Sequence, residues 1–279
     1  MGTEAIQAKH GIFIARQKDM ITQMLRLYGE WAEESVQLIK SLVKQGDSIV
    51  DVGANIGTLT IPFAKHVGES GSVYAIEGQI ENFYNLCANL VLNDLCTVRA
   101  FHCLAGDKRA ETRVGYPKHL EGENHGNYNF CKHINTPFKL KSGSDRIAIE
   151  KLDHILSHIG QLNLVKIDVE GSELQVLNGM LGLINKHKPY LYCECASEVS
   201  YEKIMPLLKS IDYSCYWHPT FHYRNQNFFG SKNLTPGYGD LNLLGIPRDK
   251  AKESIKQIKH LECVNSWEEV TTLFPDLIF

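Results

Sequence analysis

The sequence predicts an α/β fold with a doubly wound, Rossmann-like sheet of seven mostly parallel strands, of which the last is antiparallel. Three observations lead to this prediction. Short apolar runs alternate with amphipathic helical patterns between residues 46 and 248, which is typical of parallel sheets. The first run leads into a turn bounded by Gly53 and Gly57. No helical pattern separates the last two runs, so they are expected to pair antiparallel.

The composition excludes several classes of protein. The chain has 279 residues, of which 43% are hydrophobic, and a formal net charge of −3, whereas a nucleic-acid-binding domain is usually clearly basic. No apolar run reaches the roughly 20 residues of a membrane span, and the N-terminus lacks the apolar core of a signal peptide. The eight cysteines are scattered without the spacing of a zinc site. We therefore expect a cytoplasmic protein with no nucleic-acid partner and no membrane span.

The N-terminal segment, residues 1–45, is expected to be helical and to cover the pocket. Trp31, Val36 and Ile39 recur at helical spacing, and Gly46 follows the pattern and ends it.

The main domain, residues 46–248, contains the seven predicted strands. Each is a short apolar run bounded by turn residues, and in most of the intervening segments apolar residues lie three or four positions apart. The strands are expected at SIVDVGAN, SVYAIE, CTVRAFHCLAG, LNLVKIDVEG, KPYLYCECA, YSCYWH and DLNLLGI.

Three stretches depart from this alternation. Residues 107–150 are polar and rich in Gly, Asn and His, with short strand candidates at ETRVGY and DRIAIE, and we interpret them as an insertion. Residues 217–240 are expected to form a loop on the acceptor side of the pocket. Residues 249–279 are expected to form a helical tail, in which Ser266 and Glu269 have the spacing of a capping box.

The turn from Gly53 to Gly57 is similar to a dinucleotide-binding turn, but Asn55 replaces its central glycine. That glycine lets the backbone approach a pyrophosphate, so NAD fits poorly. A Walker-type loop is also excluded, because no Lys-Ser or Lys-Thr pair follows Gly57. Glu77 ends the second strand, where an acid can accept hydrogen bonds from a ribose diol, and Asp51 can take an ammonium group, directly or through water. A ligand with a ribose, an ammonium and a carboxylate but no phosphate is S-adenosylmethionine (SAM).

Two longer motifs, DVGANIG and VKIDVEGSELQVLNGM, resemble the FkbM-type SAM-dependent methyltransferases. YGEWAEE before the first strand and HPTFHYRNQNFFGSKN with DLNLLGIP near the end also resemble this family, so the resemblance covers about residues 25 to 248. It implies a class I methyltransferase fold and O-methylation, with sugars and other hydroxylated metabolites as acceptors. The implied product of the cofactor is S-adenosylhomocysteine.

The expected cofactor site extends beyond the glycine turn. Tyr28 lies in YGEWAEE, and Asn82 follows Glu77 as a candidate on the ribose side. Leu104 and Ala105 follow the third strand and are expected to hold the adenine through backbone groups. The cofactor site is thus predicted to comprise Tyr28, Asp51, Gly53, Asn55, Ile56, Gly57, Glu77, Asn82, Leu104, Ala105 and Asp168.

Acidic residues at the ends of the fourth and fifth strands are the first candidates for a general base. Asp168 lies at the tip of the fourth strand, on the same face as Lys166. Glu170 follows it, and two acids at one strand tip need a cation, a network of hydroxyl groups or a raised pKa. Glu194 ends the fifth strand, next to Asp168 if these strands are neighbours. Lys166 is assigned to acceptor binding, with a buried ion pair as the alternative.

Histidines provide a second set of candidate bases. His125 lies in the insertion, and His218 and His222 lie after the sixth strand. A loop rich in Asn, Tyr, Phe and His suits a sugar, because rings stack on aromatic side chains while amides bind hydroxyl groups. His125 and His218 are candidate bases, and His222 is assigned to acceptor binding together with Asn242, which matches an Asn of the family's final strand. Packing in an ordinary surface loop is the alternative for each histidine.

Mg²⁺ assistance would require about three oxygen ligands, which Asp168, Glu194 and Asn242 are able to supply, but we expect no metal. The predicted function is SAM-dependent O-methylation of a hydroxyl on a small acceptor, a sugar or glycoconjugate, with a carboxylate or His as base. The alternatives are a non-catalytic SAM-binding module and a methyltransferase acting on a non-sugar metabolite. An NAD oxidoreductase is disfavoured by the missing glycine, and a homodimer is a further prediction.

Overall fold

A computed structural model describes residues 2–115, 144–258 and 261–278. The described strands are β1 Thr3–Ala8, β2 Gly11–Arg16, β3 Ser48–Val52, β4 Ser72–Glu77, β5 Val98–His102, β6 Leu104–Ala105, β7 Ala110–Gly115, β8 Ser144–Glu150, β9 Leu164–Ile167, β10 Tyr190–Glu194, β11 Tyr213–Phe221, β12 Gly239–Pro247 and β13 Glu262–Cys263. The described helices are α1 Met20–Tyr28, α2 Glu33–Leu42, α3 Thr60–Val67, α4 Ile80–Leu92, α5 Leu152–Ile155, α6 Glu173–Asn178, α7 Leu181–His187, α8 Glu198–Ser210, α9 Arg248–Gln257 and α10 Val270–Leu273.

The central sheet contains eight strands in the order β13-β11-β12-β10-β9-β3-β4-β5. Strands β10, β9, β3, β4 and β5 are parallel to their neighbours in this series, whereas β12 runs antiparallel to both β10 and β11. The predicted class of fold and the antiparallel last strand are therefore confirmed. The strand count differs by one, because the two-residue strand β13 pairs with β11 in the part of the chain expected to be a helical tail.

Helices cover both faces of this sheet because successive strand residues point to opposite sides. On β9, Val165 and Ile167 pack with residues of α6, α7 and α8, including Val176 and Leu208. Leu164 packs on the other face with residues of α2 and α3. Since each central strand is buried on both faces, it reads as a continuous apolar run, which is why the sequence located these strands.

The N-terminal segment differs from the prediction of helix throughout residues 1–45. Strands β1 and β2 form an antiparallel hairpin, with Ala8 opposite Gly11, and helix begins only at Met20. The buried residues of the hairpin alternate along each strand, as with Phe13 and Ala15. This two-residue period is the signal of a half-buried strand, and the helical pattern further along the segment does not extend back to it. The hairpin is held to α4 by Asn89, whose side chain bonds to both backbone groups of Ile14.

The insertion begins and ends in a small second sheet. Strands β7 and β8 lie at the two strand candidates of the sequence and pair antiparallel, and β6 pairs with β8. Residues 116–143 lie outside the described part of the chain. The seven cysteines that the structure describes are free. Within the described ranges, none of the helices has the length and apolar character that crossing a bilayer requires.

Candidate active site

A cavity of about 410 Å³ opens at the carboxyl ends of the parallel strands. Its walls come from the turns after β3, β4, β6, β9 and β10 and from the first half of β12, which begins at this edge because it is antiparallel. Residues Met20 to Ser35 of the N-terminal segment contribute a further wall. Parallel α/β sheets bind ligands at this edge.

The glycine turn after β3 forms one side of the cavity. Gly53, Asn55 and Gly57 have φ angles of 77°, 51° and 92°, a region that favours glycine and tolerates Asn. A Cβ atom on Gly53 would lie 1.8 Å from the backbone oxygen of Asp168. Only glycine therefore allows the turn to approach the end of β9, and this contact sets the turn and Asp168 beside each other.

Glu77, at the end of β4, is buried against this turn. Its carboxylate accepts the backbone N–H of Asn55 and that of Gln79, each at 2.7 Å. Burial raises the pKa of Glu77 to about 7, although these two hydrogen bonds favour the ionised form. Asn82 also lines the cavity, so the two residues predicted for the ribose side lie together.

Leu104 and Ala105 line the cavity as well, close to Asp107 and Lys108. This places the predicted adenine residues at the same strand edge as Glu77. The turn residues Gly53 and Asn55 contribute to the lining, whereas Ile56 and Gly57 do not. Ile56 instead packs in the core between the hairpin and α4.

Two residues predicted to bind the cofactor are placed elsewhere. Asp51 is fully buried, accepts the hydroxyl of Thr60 at 2.6 Å and pairs with Lys166 at 3.2 Å, and it does not reach the cavity. Tyr28 is also fully buried, and its hydroxyl accepts the backbone N–H of Leu234 at 3.0 Å. Neither side chain lines the cavity, so the expected contact of each with the cofactor, which for Asp51 included a contact through water, stays a prediction.

Lys166 forms the buried ion pair that the sequence left as the alternative. Its ammonium lies 3.2 Å from Asp51 and 3.4 Å from Asp168, and it donates to the backbone oxygen of Gly53 at 2.9 Å. Burial alone would lower the pKa of Lys166, but the two carboxylates outweigh burial and raise it. Lys166 lines the cavity, yet these contacts direct its ammonium towards β3 and the glycine turn.

Three carboxylates meet at the ends of β9 and β10. Oxygen atoms of Asp168, Glu170 and Glu194 all lie within 4.8 Å of one another. Strands β9 and β10 are neighbours, which is the condition under which the sequence placed Glu194 beside Asp168. Glu170 takes a φ angle of 54°, so the chain turns sharply after β9 and brings this side chain back to the cluster.

Burial is the main cause of the raised carboxyl pKa values in this part of the cavity. Burial, with repulsion from Asp168, raises the pKa of Glu170 to about 8 and that of Asp240 to about 7. The same causes raise the pKa of Glu194 well above its ordinary value. The carboxylate of Asp168 pairs with Lys166 at 3.4 Å, and its side chain is 41% exposed.

The described histidines do not reach the cavity surface. His218 is buried, and its Nδ1 atom lies 2.8 Å from the hydroxyl of Tyr192; burial lowers the pKa of His218 to about 4. His222 packs against Trp31, with ring centroids 4.9 Å apart. The two histidines thus contact the lining residues Tyr192 and Trp31 without lining the cavity themselves. His125 lies outside the described residues.

Several lining residues were missed by the sequence analysis. Trp31, Tyr192, Thr220 and Asp240 all face the cavity, and Tyr192 also bonds the hydroxyl of Ser35 at 2.7 Å. Asp240 had a usable signal, because it lies two positions before Asn242 on the same predicted strand and so shares its face. Asn242 itself lines the cavity as predicted, next to Glu194 in the strand register.

The fold and the cavity together define a class I methyltransferase domain: a doubly wound sheet with an antiparallel strand, a glycine turn after β3 and a buried acid at the end of β4. The family model of the Methyltransferase FkbM domain matches residues 51–215, which is more than half of the chain. The chain therefore belongs to this family. Its domain is a methyltransferase domain with SAM as the cofactor, as the sequence predicted.

More distant similarities extend to individual proteins. The chain is 28% identical over 144 residues to Methyltransferase 1 of Beauveria bassiana (strain ARSEF 2860), covering 47% of this chain and 57% of that protein. It is similar in structure to the methyltransferase FkbM of Methylobacillus flagellatus KT, with a TM-score of 0.47, 20% identity and coverage of 73% of this chain and 44% of the other. A third similarity is to M. jannaschii TYW2 in complex with AdoMet, with a TM-score of 0.42, 16% identity and coverage of 87% and 84%. The chain thus spans about half the length of the first two proteins.

Proposed function

We propose that the protein transfers a methyl group from SAM to a hydroxyl of a small acceptor, a sugar or glycoconjugate. One observation supports this proposal above all. The buried acid Glu77 and the carboxylates Asp168 and Glu194 line one cavity of about 410 Å³. A candidate ribose-binding group and candidate proton acceptors therefore share one cavity.

The cofactor half of the cavity fits SAM. Glu77 and Asn82 would hold the ribose hydroxyls, and the backbone near Leu104 and Ala105 would hold the adenine. The absence of a side chain at Gly53 lets the turn lie against Asp168, so the turn and the end of β9 would together form one wall around the cofactor. Bound SAM supplies a methyl group on a sulfonium ion, which is transferred to the acceptor oxygen and leaves S-adenosylhomocysteine.

The acceptor half contributes alignment and removal of a proton. Asp168 is the preferred base, because Lys166 at 3.4 Å stabilises its carboxylate while burial favours the protonated form at Glu170 and Glu194. An ionised Asp168 would take the hydroxyl proton of the acceptor, and a protonated Glu194 would donate a hydrogen bond to a neighbouring acceptor oxygen.

The acceptor class follows from the mixture of groups on this side. Trp31 and Tyr192 provide aromatic surface, and Asn242, Thr220 and Asp240 provide hydrogen-bonding groups. This combination suits a ring that carries several hydroxyl groups. A sugar is therefore favoured over an apolar alcohol.

The test is transfer of a tritiated methyl group from labelled SAM to a panel of sugars, glycoconjugates and non-sugar alcohols. We expect incorporation into a hydroxylated ring and none with the corresponding deoxy compound. Incorporation only into non-sugar acceptors would keep the methyltransferase but reject the sugar. Tight SAM binding with no incorporation into any acceptor would favour a non-catalytic binding module.

Calorimetric titration with SAM and with NADH tests the cofactor on its own. We expect binding of SAM alone, since Asn55 stands where a pyrophosphate site requires glycine. The homodimer and the cytoplasmic location stay predictions, which size-exclusion chromatography with light scattering and cell fractionation would test.

A further inference from the structure

Two of the three clustered carboxylates in the acceptor half of the cavity, Glu170 and Glu194, lack a cationic partner among the described residues. Asp168, Glu170 and Glu194 have oxygen atoms within 4.8 Å of one another. Among the residues that the structure describes, Glu170 and Glu194 have neither an ion pair nor a hydrogen bond through their side chains. Carboxylates so close together repel, and they need a positive charge or a proton between them.

Lys166 does not fill this role. Its ammonium is shared by Asp51, the backbone oxygen of Gly53 and one oxygen of Asp168. Asp51 and Gly53 belong to β3 and the glycine turn, and in the described part of the chain the ammonium forms no ion pair with Glu170 or Glu194. These two carboxylates are therefore left without a cationic partner.

Asn242 supplies a separate observation that points to a ligand. It is 93% buried, since its relative exposure is 7%, and it lies opposite Glu194 in the register of β10 and β12. Its side-chain nitrogen donates a long hydrogen bond of 3.4 Å to the backbone oxygen of His218. Within the described chain its amide oxygen has no partner, and the residue lines the cavity. An amide oxygen that has no hydrogen-bond partner, on a largely buried residue of the cavity wall beside a carboxylate, is suited to a hard cation.

We propose that Asp168, Glu170 and Glu194, with the amide oxygen of Asn242, bind one divalent cation of the Mg²⁺ or Mn²⁺ type. Such ions prefer carboxylate and amide oxygens at about 2.0–2.2 Å, and each of the four residues offers one. The site reverses our expectation from the sequence that no metal takes part. The sequence left Glu170 out of the possible ligand set, because the backbone turn that returns it to the cluster is a property of the folded chain.

The proposed ion belongs to the same site as the proposed function. The inference rests on that function for one point, namely that the ion would contact the acceptor hydroxyl. An ion at this position would lie beside the expected position of the acceptor hydroxyl, and it would lower the pKa of that hydroxyl. One oxygen of Asp168 would stay on Lys166 while the other bound the ion, and Glu194 would bind the ion in place of its proton. With the ion bound, activation of the hydroxyl by the ion would therefore replace proton removal by Asp168. The acceptor class would narrow to compounds with two neighbouring oxygens, which can both contact one ion.

The experiment measures ion binding directly and needs no acceptor. The full chain is treated with a chelator and titrated with Mn²⁺, and free Mn²⁺ is followed by electron paramagnetic resonance. We expect one equivalent to bind, Mg²⁺ to compete, and Mn²⁺ to raise the midpoint of thermal unfolding. Glu194→Gln and Asn242→Ala should each weaken Mn²⁺ binding by roughly tenfold or more, while Glu198→Gln, at an exposed acid four residues away, should leave it unchanged.

Calorimetric titration of S-adenosylhomocysteine into the same samples separates the two proposals. If this ligand binds but Mn²⁺ does not, or binds equally to Glu194→Gln, the metal site is refuted and the cofactor site stands. If Mn²⁺ binds but S-adenosylhomocysteine does not, the proposed function fails instead. Glu194→Gln keeps the size and polarity of the side chain and removes only its ability to ionise, so it should unfold no earlier than the parent in metal-free buffer, and a folded variant keeps the comparison valid.

Discussion

Replacing Glu77 by Ala tests the cofactor half of the site. The carboxylate is 6% exposed and lines the cavity beside Asn82. Hydrogen bonds to a charged group are worth about 1.5–3 kcal/mol, and 1.4 kcal/mol corresponds to about tenfold in Kd. We therefore expect Glu77→Ala to weaken SAM binding by roughly 10- to 150-fold.

The same substitution has a second effect that the structure separates from the first. Glu77 accepts the backbone N–H groups of Asn55 and Gln79 at 2.7 Å, and without it both lose their acceptor. A buried donor left without a partner costs about 1–3 kcal/mol, although water can enter the space that the smaller side chain leaves. The free energy of unfolding should thus fall by a few kcal/mol as well.

Two measurements on the same sample separate these effects. Calorimetric titration with S-adenosylhomocysteine gives the change in Kd, and urea unfolding without ligand gives the change in stability. Glu69→Ala, at an exposed acid in the turn after α3, is the control and should change neither. If Glu77→Ala folds and binds S-adenosylhomocysteine with unchanged affinity, the assignment of Glu77 to the ribose is wrong.

Four further predictions follow from individual contacts. Asp168→Asn should leave SAM affinity largely intact and lower turnover by about 10²-fold or more if Asp168 is the base; a fully active variant would move the base to another carboxylate. The pKa of Glu77 is raised by burial from 4.5 to about 7. As pH rises, the unfolded chain therefore loses this proton at a lower pH than the folded chain does. The free energy of unfolding of the ligand-free protein should therefore fall as pH rises through this window, and the dependence should be absent in Glu77→Gln. Burial alone would raise the pKa of Glu33, but hydrogen bonds from His10 and Lys9 lower it to about 2. The stabilisation that ionised Glu33 gives to the folded state should therefore be present above pH 4.5 and lost as pH falls towards 2. In denaturant unfolding at neutral pH, Glu33→Gln should lower the free energy of unfolding by roughly 1–3 kcal/mol. Gly53→Ala should cost roughly 3 kcal/mol or more, because the new Cβ meets the backbone oxygen of Asp168 at 1.8 Å, whereas Gly230→Ala, with a similar φ and open space around it, should cost only about 1–2 kcal/mol; equal costs would refute the steric argument.

The agreement between sequence and structure is best where a signal is local. Each central strand is a short apolar run because both of its faces are buried, and the run is visible without knowing its neighbours. The residues Gly53, Asn55 and Glu77 line one cavity because they lie at the ends of consecutive parallel strands, whose carboxyl ends meet at one edge. The N-terminal hairpin also had a local signal, an alternation of buried residues, but it was overlooked beside a helical pattern in the same segment.

The disagreements concern the direction of side chains. Asp51 and Glu77 are both acids at strand ends, yet Asp51 is neutralised by Lys166 in the interior while Glu77 faces the cavity. His218 has the chemistry of a base, but it lies behind Tyr192 and stays neutral because of burial. The residue type alone does not decide whether Asp51 or His218 faces the cavity. Contacts with residues on other strands, Lys166 for Asp51 and Tyr192 for His218, decide it.

The sequence by itself determined the fold class, the family and the type of cofactor, because these depend on periodicity and on motifs that are contiguous in the chain. Only the tertiary structure decided which groups share the acceptor half of the cavity. Glu170, Glu194 and Asn242 come from three separate segments, and the strand order β9-β10-β12 brings them together. The interaction between these groups depends on the distances between them and on their burial, and the amino-acid sequence alone gives neither quantity.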